Sequence, residues 1–180
     1  MSIIAFDVKH IRPLQWPAVP LIFDLHVINI RTYVRCNGKS GIYFLSIKGQ
    51  KALSCLMARL ISGLQYDPAK IRRTNHSFVV KDRTSNLTIK YKMGPQKQEY
   101  NALDRWLLDR NAIFINKNNK IYRSDIQHEA WHVKQLNLKQ MNVDQPKFYN
   151  LLNHPPNRSH YSEGTKVLFG NSVLEISNYS

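Results

Sequence analysis

Apolar and polar positions alternate through residues 23–35 and again through residues 41–48, with Asn37-Gly38 between the two runs. Successive side chains of a strand point to opposite faces, so Ile28, Ile30 and Val34 share one face while Asn29, Arg31 and Tyr33 share the other. Asn-Gly supplies the positive backbone angles of a tight turn, which predicts a β-hairpin here. If the polar face of its first strand looks into a closed sheet, an asparagine, an arginine and a tyrosine line a pocket. If it looks outward, they form a solvated surface.

The same periodicities divide the rest of the chain. Residues 2–8 read as a short strand, and Pro13, Pro17 and Pro20 mark a surface connection, since proline donates no ladder hydrogen bond. Over residues 51–62 the period becomes helical, with Leu53, Leu56, Met57, Leu60 and Ile61 expected to bury one stripe and Gly63 expected to stop the helix. A second hairpin is predicted over 76–82 and 86–93 around Thr84-Ser85-Asn86. In it Leu87, Ile89, Tyr91 and Met93 alternate with Thr88, Lys90 and Lys92, one dry face against one wet. A helix over 101–110 places Leu103, Trp106 and Leu107 on one face. Strands over 112–116 and 120–127 turn at Asn118-Asn119, further strands fall near 133–141, 165–169 and 172–176, and Asn153-His154-Pro155-Pro156-Asn157 reads as a loop. Many short strands with polar turns and two or so helices favour one mostly β (α+β) domain over residues 1–180, an antiparallel sandwich or barrel.

Charge adds a bias without naming a partner. The chain has 26 Lys and Arg against 12 Asp and Glu, a formal charge of +14, which attracts small anions, phosphate or nucleic acid. Between Lys70 and Lys97 the sole acid is Asp82, so this stretch carries much of the positive field. A nucleic-acid reading would use it with Phe78, Tyr91 and Tyr100 for stacking. Its weakness is that Tyr91 points away from Lys90 and Lys92, so cations and aromatics share no platform. Cys36 beside a turn and Cys55 in a helical pattern do not suggest a disulfide framework, and no segment approaches a membrane span. A cytoplasmic protein with no membrane partner is expected.

His128-Glu129-Ala130-Trp131-His132 matches the HExxH pattern, whose zinc chemistry needs both histidines on one face of a helix. Here His128 ends an alternating run from Ile121, Gln135 stands where the longer form of the motif has glycine, and a strand end followed by a loop is expected, with no metal. There is no GxSxG elbow, phosphate-binding loop or CxxC pair. Asp104 and Asp109 beside Arg105 and Arg110 read as a solvated, salt-bridging helix face.

Asn29-Ile30-Arg31-Thr32-Tyr33-Val34 followed by Gly41-Ile42-Tyr43-Phe44-Leu45-Ser46-Ile47 resembles the signature of the YqjF-like family of uncharacterised bacterial proteins. Ala58-Arg59 through Gly63-Leu64-Gln65-Tyr66, the helix from Ala102 to Arg110, the run Ile121 to His128 and His160-Tyr161-Ser162-Glu163-Gly164 fall in the family's order. The family looks related to acetoacetate decarboxylase, which implies an antiparallel, cone-like β-barrel around a small-molecule pocket, here lacking its N-terminal strands. The decarboxylase places a Schiff-base lysine after Arg, three residues, Gly, one residue and Pro. The matching positions here are Arg59, Gly63, Gln65 and Tyr66, so the lysine is absent and tyrosine cannot form an imine. Lys48 and Lys70 are the remaining substitutes and read as surface cations. Val27 and Lys48 stand where relatives often carry acids, which would alter ligand preference.

These features together point to a small-molecule-binding protein or enzyme of this class, with Asn29, Arg31, Tyr33, Ser46, Arg59 and Tyr66 around its cavity and no cofactor. Arg31 or Arg59 would pair with the carboxylate of a small anionic or carbonyl-containing ligand, and Tyr33 and Tyr66 would donate hydrogen bonds or shift a proton. Equally, Arg31 could brace the sheet and the tyrosines could only pack. An open sheet edge would be covered by a second copy, giving a homodimer.

Overall fold

The computed structural model describes residues 1–9, 24–83, 85–96, 100–144, 148, 152 and 154–176; the proline-rich connection, Thr84, Lys97 and Asn153 lie outside them. The first hairpin forms as its alternation requires: β2 (Leu25–Cys36) returns as β3 (Lys39–Gly49) through Asn37 and Gly38, both at positive φ. β1 (Ser2–Val8) pairs antiparallel with β2. Helix α1 (Ala52–Ser62) follows and closes at Gly63, whose φ of 71° suits a residue without a Cβ and whose N–H donates to the Arg59 carbonyl. Next come β4 (Asp67–Pro68), β5 (Lys70–Thr74), β6 (Ser77–Lys81) and β7 (Asn86–Gln96). Helix α2 (Ala102–Leu108) leads into β8 (Ala112–Lys117) and β9 (Lys120–His128), joined at Asn118 and Asn119. β10 (Val133–Asp144), β11 (His160–Ser162) and β12 (Val167–Ile176) complete the described chain.

The strands form two sheets. One runs β1-β2-β3-β8-β9-β12 with β4 added beside β3, and the other runs β11-β10-β7-β6-β5. Among the described residues every strand pairing is antiparallel except β3 with β8 and β3 with β4. Ile28 and Ile30 of β2 turn toward the second sheet, where Ile28 packs with Ala69, Ile71, Phe78, Val80 and Leu87. The opposite face of β2 carries Leu25 and Val27 into a cluster with Cys55 and Ala58 of α1, Leu64 and Tyr66. β2 is thus buried on both sides, between a sheet and a helix.

Three expectations change. The leucine stripe of α1 does not pack inward: Leu53 is 60% and Leu60 70% exposed, while Ser54, Cys55 and Ala58 are buried. The approach to the sheet is too close for larger residues, since a Cβ on Gly49 would stand 2.5 Å from Cys55 Sγ. The strands expected at 165–169 and 172–176 are instead a single strand, β12, which begins only at Val167 and carries a register irregularity between Phe169 and Ser172. Of the charges expected on a solvated face of α2, Arg105 and Asp109 are exposed, but Arg110 is half-buried and Asp104 departs entirely. Asp104 is fully buried as the reciprocal partner of Asn101 in a capping box, with Oδ1 3.0 Å from His160 Nε2. Among the described residues no helix is long and apolar enough to cross a membrane.

A polar clasp joins the sheets at one edge. Asp7 accepts from Arg73 (2.6 Å), while His26 Nδ1 lies 2.6 Å from the other Asp7 oxygen. Burial alone would raise the Asp7 pKa; the hydrogen bonds from Arg73 and His26 outweigh it and hold the carboxyl below its ordinary value. A depressed carboxyl pKa contributes stability that is present above the ordinary aspartate range and lost as pH falls through the folded-state value. Asp7→Asn should therefore flatten the acid limb of a stability-versus-pH curve, as followed by urea unfolding. The helix contact should show the opposite of its sequence pattern: Ala58→Leu is expected to cost about 1–3 kcal/mol by overpacking. Leu60→Gln should stay within about 0.5 kcal/mol. Both shifts are measurable as changes in urea midpoint.

Candidate functional site

β3 shares one edge between two partners. Ile42 and Tyr43 pair with Ile113 and Phe114 of β8, and Lys48 and Gly49 pair with Asp67 and Pro68 of β4. Between those pairings, Phe44 to Ile47 have no strand neighbour on that edge among the described residues. On the other edge the register with β2 slips by one, Ser46 facing Ile30 and Phe44 facing Arg31, so Leu45 is an extra residue. Such a bulge reverses which parity of side chain faces which side. Ile42 and Phe44 before it and Ile47 after it all join the helix-side cluster, whereas Leu45 packs with Ile30 and Phe148 on the far side.

The divergence of β8 and β4 opens a slot of about 720 Å³. It is bounded by β3 from Tyr43 to Lys48, by Arg59, Gly63, Leu64, Gln65 and Asp67 at the end of α1, by Phe114 to Lys117 of β8, and by Phe148. Arg59 is anchored there: Nη2 donates to the Tyr66 carbonyl (2.7 Å) and lies 3.7 Å from the Asp67 carboxylate, while its Nε is buried without a partner.

The six residues expected around one cavity therefore separate. Ser46 and Arg59 line the slot. Tyr66 does not line it; it lies in the core beside Cys55, where burial pushes its phenol up to about 12, so it stays neutral. Burial likewise raises the Cys55 thiol, which is no reactive thiolate. Asn29, Arg31 and Tyr33 do share one face, but that face meets the helices. Asn29 is buried with Oδ1 unpartnered, Arg31 Nη2 donates to the Leu107 carbonyl of α2 (3.3 Å), and the Tyr33 ring packs 4.3 Å from that of Trp106.

Lys48 is not a surface cation: it is 8% exposed, and its Nζ donates to Asp82 and to Ser85 Oγ (2.6 Å) between the sheets. The bulge at Leu45 is the reason, because it turns Lys48 toward the second sheet. Lys70 is exposed. The slot's contributions from β8 and from Phe148 carried no chemical signal in the sequence; only the gap between two pairings creates them. His128 ends β9 and Glu129 to His132 are not helical, so the two histidines do not share a helix face. Phe78 and Tyr91 are core residues at 2% and 9% exposure, and Tyr100 OH is engaged by the Trp131 carbonyl and the Val133 N–H, so these rings offer no stacking platform.

Comparison with known proteins adds context. Residues 1–166 match the family described as "Uncharacterized conserved protein", DUF2071. Uncharacterized protein YqjF of Bacillus subtilis (strain 168) is 29% identical over 140 residues, covering 73% of this chain and 58% of that protein. The chain thus spans less than two thirds of that relative's length. Among solved structures, the enduracididine biosynthesis enzyme MppR complexed with pyruvate is similar with a TM-score of 0.52 at 10% identity, over 87% of this chain and 68% of that one. MppR with HEPES buffer bound gives 0.50 at 10% identity, over 85% and 65%. At that identity the likeness concerns the fold, which among the described residues is mostly β, with α1 and α2 beside the sheets, and of acetoacetate decarboxylase-like type, as the resemblance implied.

The pair at Lys48 generates its own prediction. Asp82→Asn leaves a buried ammonium without its counter-charge and should cost about 3 kcal/mol in urea unfolding, whereas Lys48→Met in that background should recover much of the loss.

Proposed function

This chain belongs to the DUF2071 family, and we propose that it binds a small anionic, carbonyl-containing organic acid in the slot between β3 and β8, without forming a covalent adduct. The observation that carries this reading is the stretch Phe44 to Ile47 beside Arg59, whose edge away from β2 has no strand neighbour among the described residues. Backbone N–H and C=O groups that lack a strand partner must be satisfied by water or by a ligand, and a ligand with both a carboxylate and a carbonyl can use several of them at once. Arg59 is already oriented by the Tyr66 carbonyl, with a buried Nε still unused, so a carboxylate gains a charge-assisted contact at little ordering cost. Its present counter-ion is weak: the Asp67 side chain is 69% exposed and can turn to water. Lys117 adds a cation at the rim.

The structurally similar MppR is described as complexed with pyruvate, a small 2-oxo acid. That supports the ligand class and leaves its chemistry aside, because the two proteins share 10% identity. A Schiff base finds no support here: Tyr66 holds the matching position and the Lys48 amine is committed to Asp82 and Ser85.

Isothermal titration with pyruvate should show saturable binding that weakens at least about tenfold in Arg59→Gln. Borohydride treatment of the mixture should leave the protein mass unchanged. Equal affinity in the variant would overturn the assignment of Arg59, and a reduced covalent adduct would overturn the non-covalent reading.

A further inference from the structure

Away from the slot, the helix side of β2 holds two arginines around one ring. The guanidinium carbons of Arg31 and Arg110 each lie 5.7 Å from the Tyr33 centroid, and that of Arg110 stands 4.3 Å over Trp106. Nε of Arg31 and both Nε and Nη2 of Arg110 are buried and donate to no protein group. Arg31 spends Nη2 on the Leu107 carbonyl and is also hydrogen-bonded to the Tyr33 side chain, which leaves its buried Nε–H unused. Among the described residues neither arginine has a carboxylate partner, although Asp7, Asp67, Asp82, Asp104, Asp125, Glu163 and Glu175 are all engaged elsewhere.

Two half-buried cations that share a ring, carry buried N–H groups and lack an anion are an unbalanced arrangement, since charges taken out of water are ordinarily paired. Burial pushes the Arg31 guanidinium below its ordinary value, Tyr33 opposes that push, and the Arg110 charge adds to it. Arginine does not relieve this by losing its proton, because it stays charged at any ordinary pH. The aromatic faces offset the charge in part, leaving the directed N–H donors unused. Guanidinium forks with free donors match the oxygens of carboxylates and phosphates.

We propose that Arg31 and Arg110 form an oxyanion site under α2, separate from the slot, which takes a carboxylate or phosphate group between the two guanidiniums and against the indole of Trp106. Trp106 is 48% exposed, so the site has a way in from solvent, and its ring gives an apolar wall for whatever carries the anion. The site stands on residues outside the slot lining and does not depend on the slot being occupied.

The test uses the full chain, titrated calorimetrically at constant ionic strength with inorganic phosphate and, separately, with acetate. Saturable binding of at least one is expected, and the tighter of the two identifies the anion class. Arg110→Gln should weaken it about tenfold or more, with an unchanged circular dichroism spectrum, while Arg59→Gln should leave it as in the parent. In the parent protein the Nε–H resonances of Arg31 and Arg110 should move with phosphate or acetate and not with chloride, a readout that survives even if the variant misfolds. No saturable binding, equal affinity in a folded Arg110→Gln, or unmoved Nε–H resonances would each overturn the site. Loss of pyruvate binding alone would count against the slot and leave this site standing.

Discussion

Everything in this fold turns on β3 having more partners than one edge can hold. Parallel β8 claims its first part and β4 its last, and the residues between, Phe44 to Ile47, are left with backbone groups on that edge that no strand satisfies among the described residues. The bulge at Leu45 lies in the same stretch, on the opposite edge. It lets Ile42 and Ile47, five residues apart, both enter the helix-side core, which strict alternation would forbid. It also turns Lys48 between the sheets, where Asp82 and Ser85 meet it. The make-up of the helix-side core and a buried ion pair thus follow from one local change of register.

The second determinant is the closeness of α1. Gly49 and Cys55 leave no space between helix and sheet, so the helix packs on small residues and its leucines face out. This fixes the C-terminal end of α1, and with it Gly63 and Arg59, against the opening beside β3. Arg59 then stands at the slot through rigid secondary structure, which is how a first contact for a ligand is held in place without a loop to order.

Much of this was legible in the sequence. The Asn37-Gly38 turn, the Gly63 stop and the Asn118-Asn119 turn were readable because each needs positive φ. The alternation of β2 was also readable, and both of its faces are used. Which face met what was not, because alternation separates faces without saying which one a helix will cover. The α1 stripe misled for a related reason: periodicity measures where leucines lie, whereas the packing distance set by Gly49 decides which face can approach. Asp104 and Arg110 read as members of a solvated, salt-bridging helix face with Arg105 and Asp109 because the sequence does not show that Asp104 caps a helix and Arg110 lies over two rings. Lys48 was hidden by the bulge, a one-residue event without a sequence signature here. The slot itself is a gap between pairings, and no residue marks it.

The central claim is that the unpaired stretch of β3 is a binding edge. Amide hydrogen exchange read residue by residue tests it most directly, with and without pyruvate. The account predicts that amides within Phe44 to Ile47 exchange faster than those of Val27 to Ile30 in the doubly flanked strand beside them, and that pyruvate slows them selectively. Protection equal to that of β2 in the free protein, or exchange that pyruvate does not alter, would contradict it.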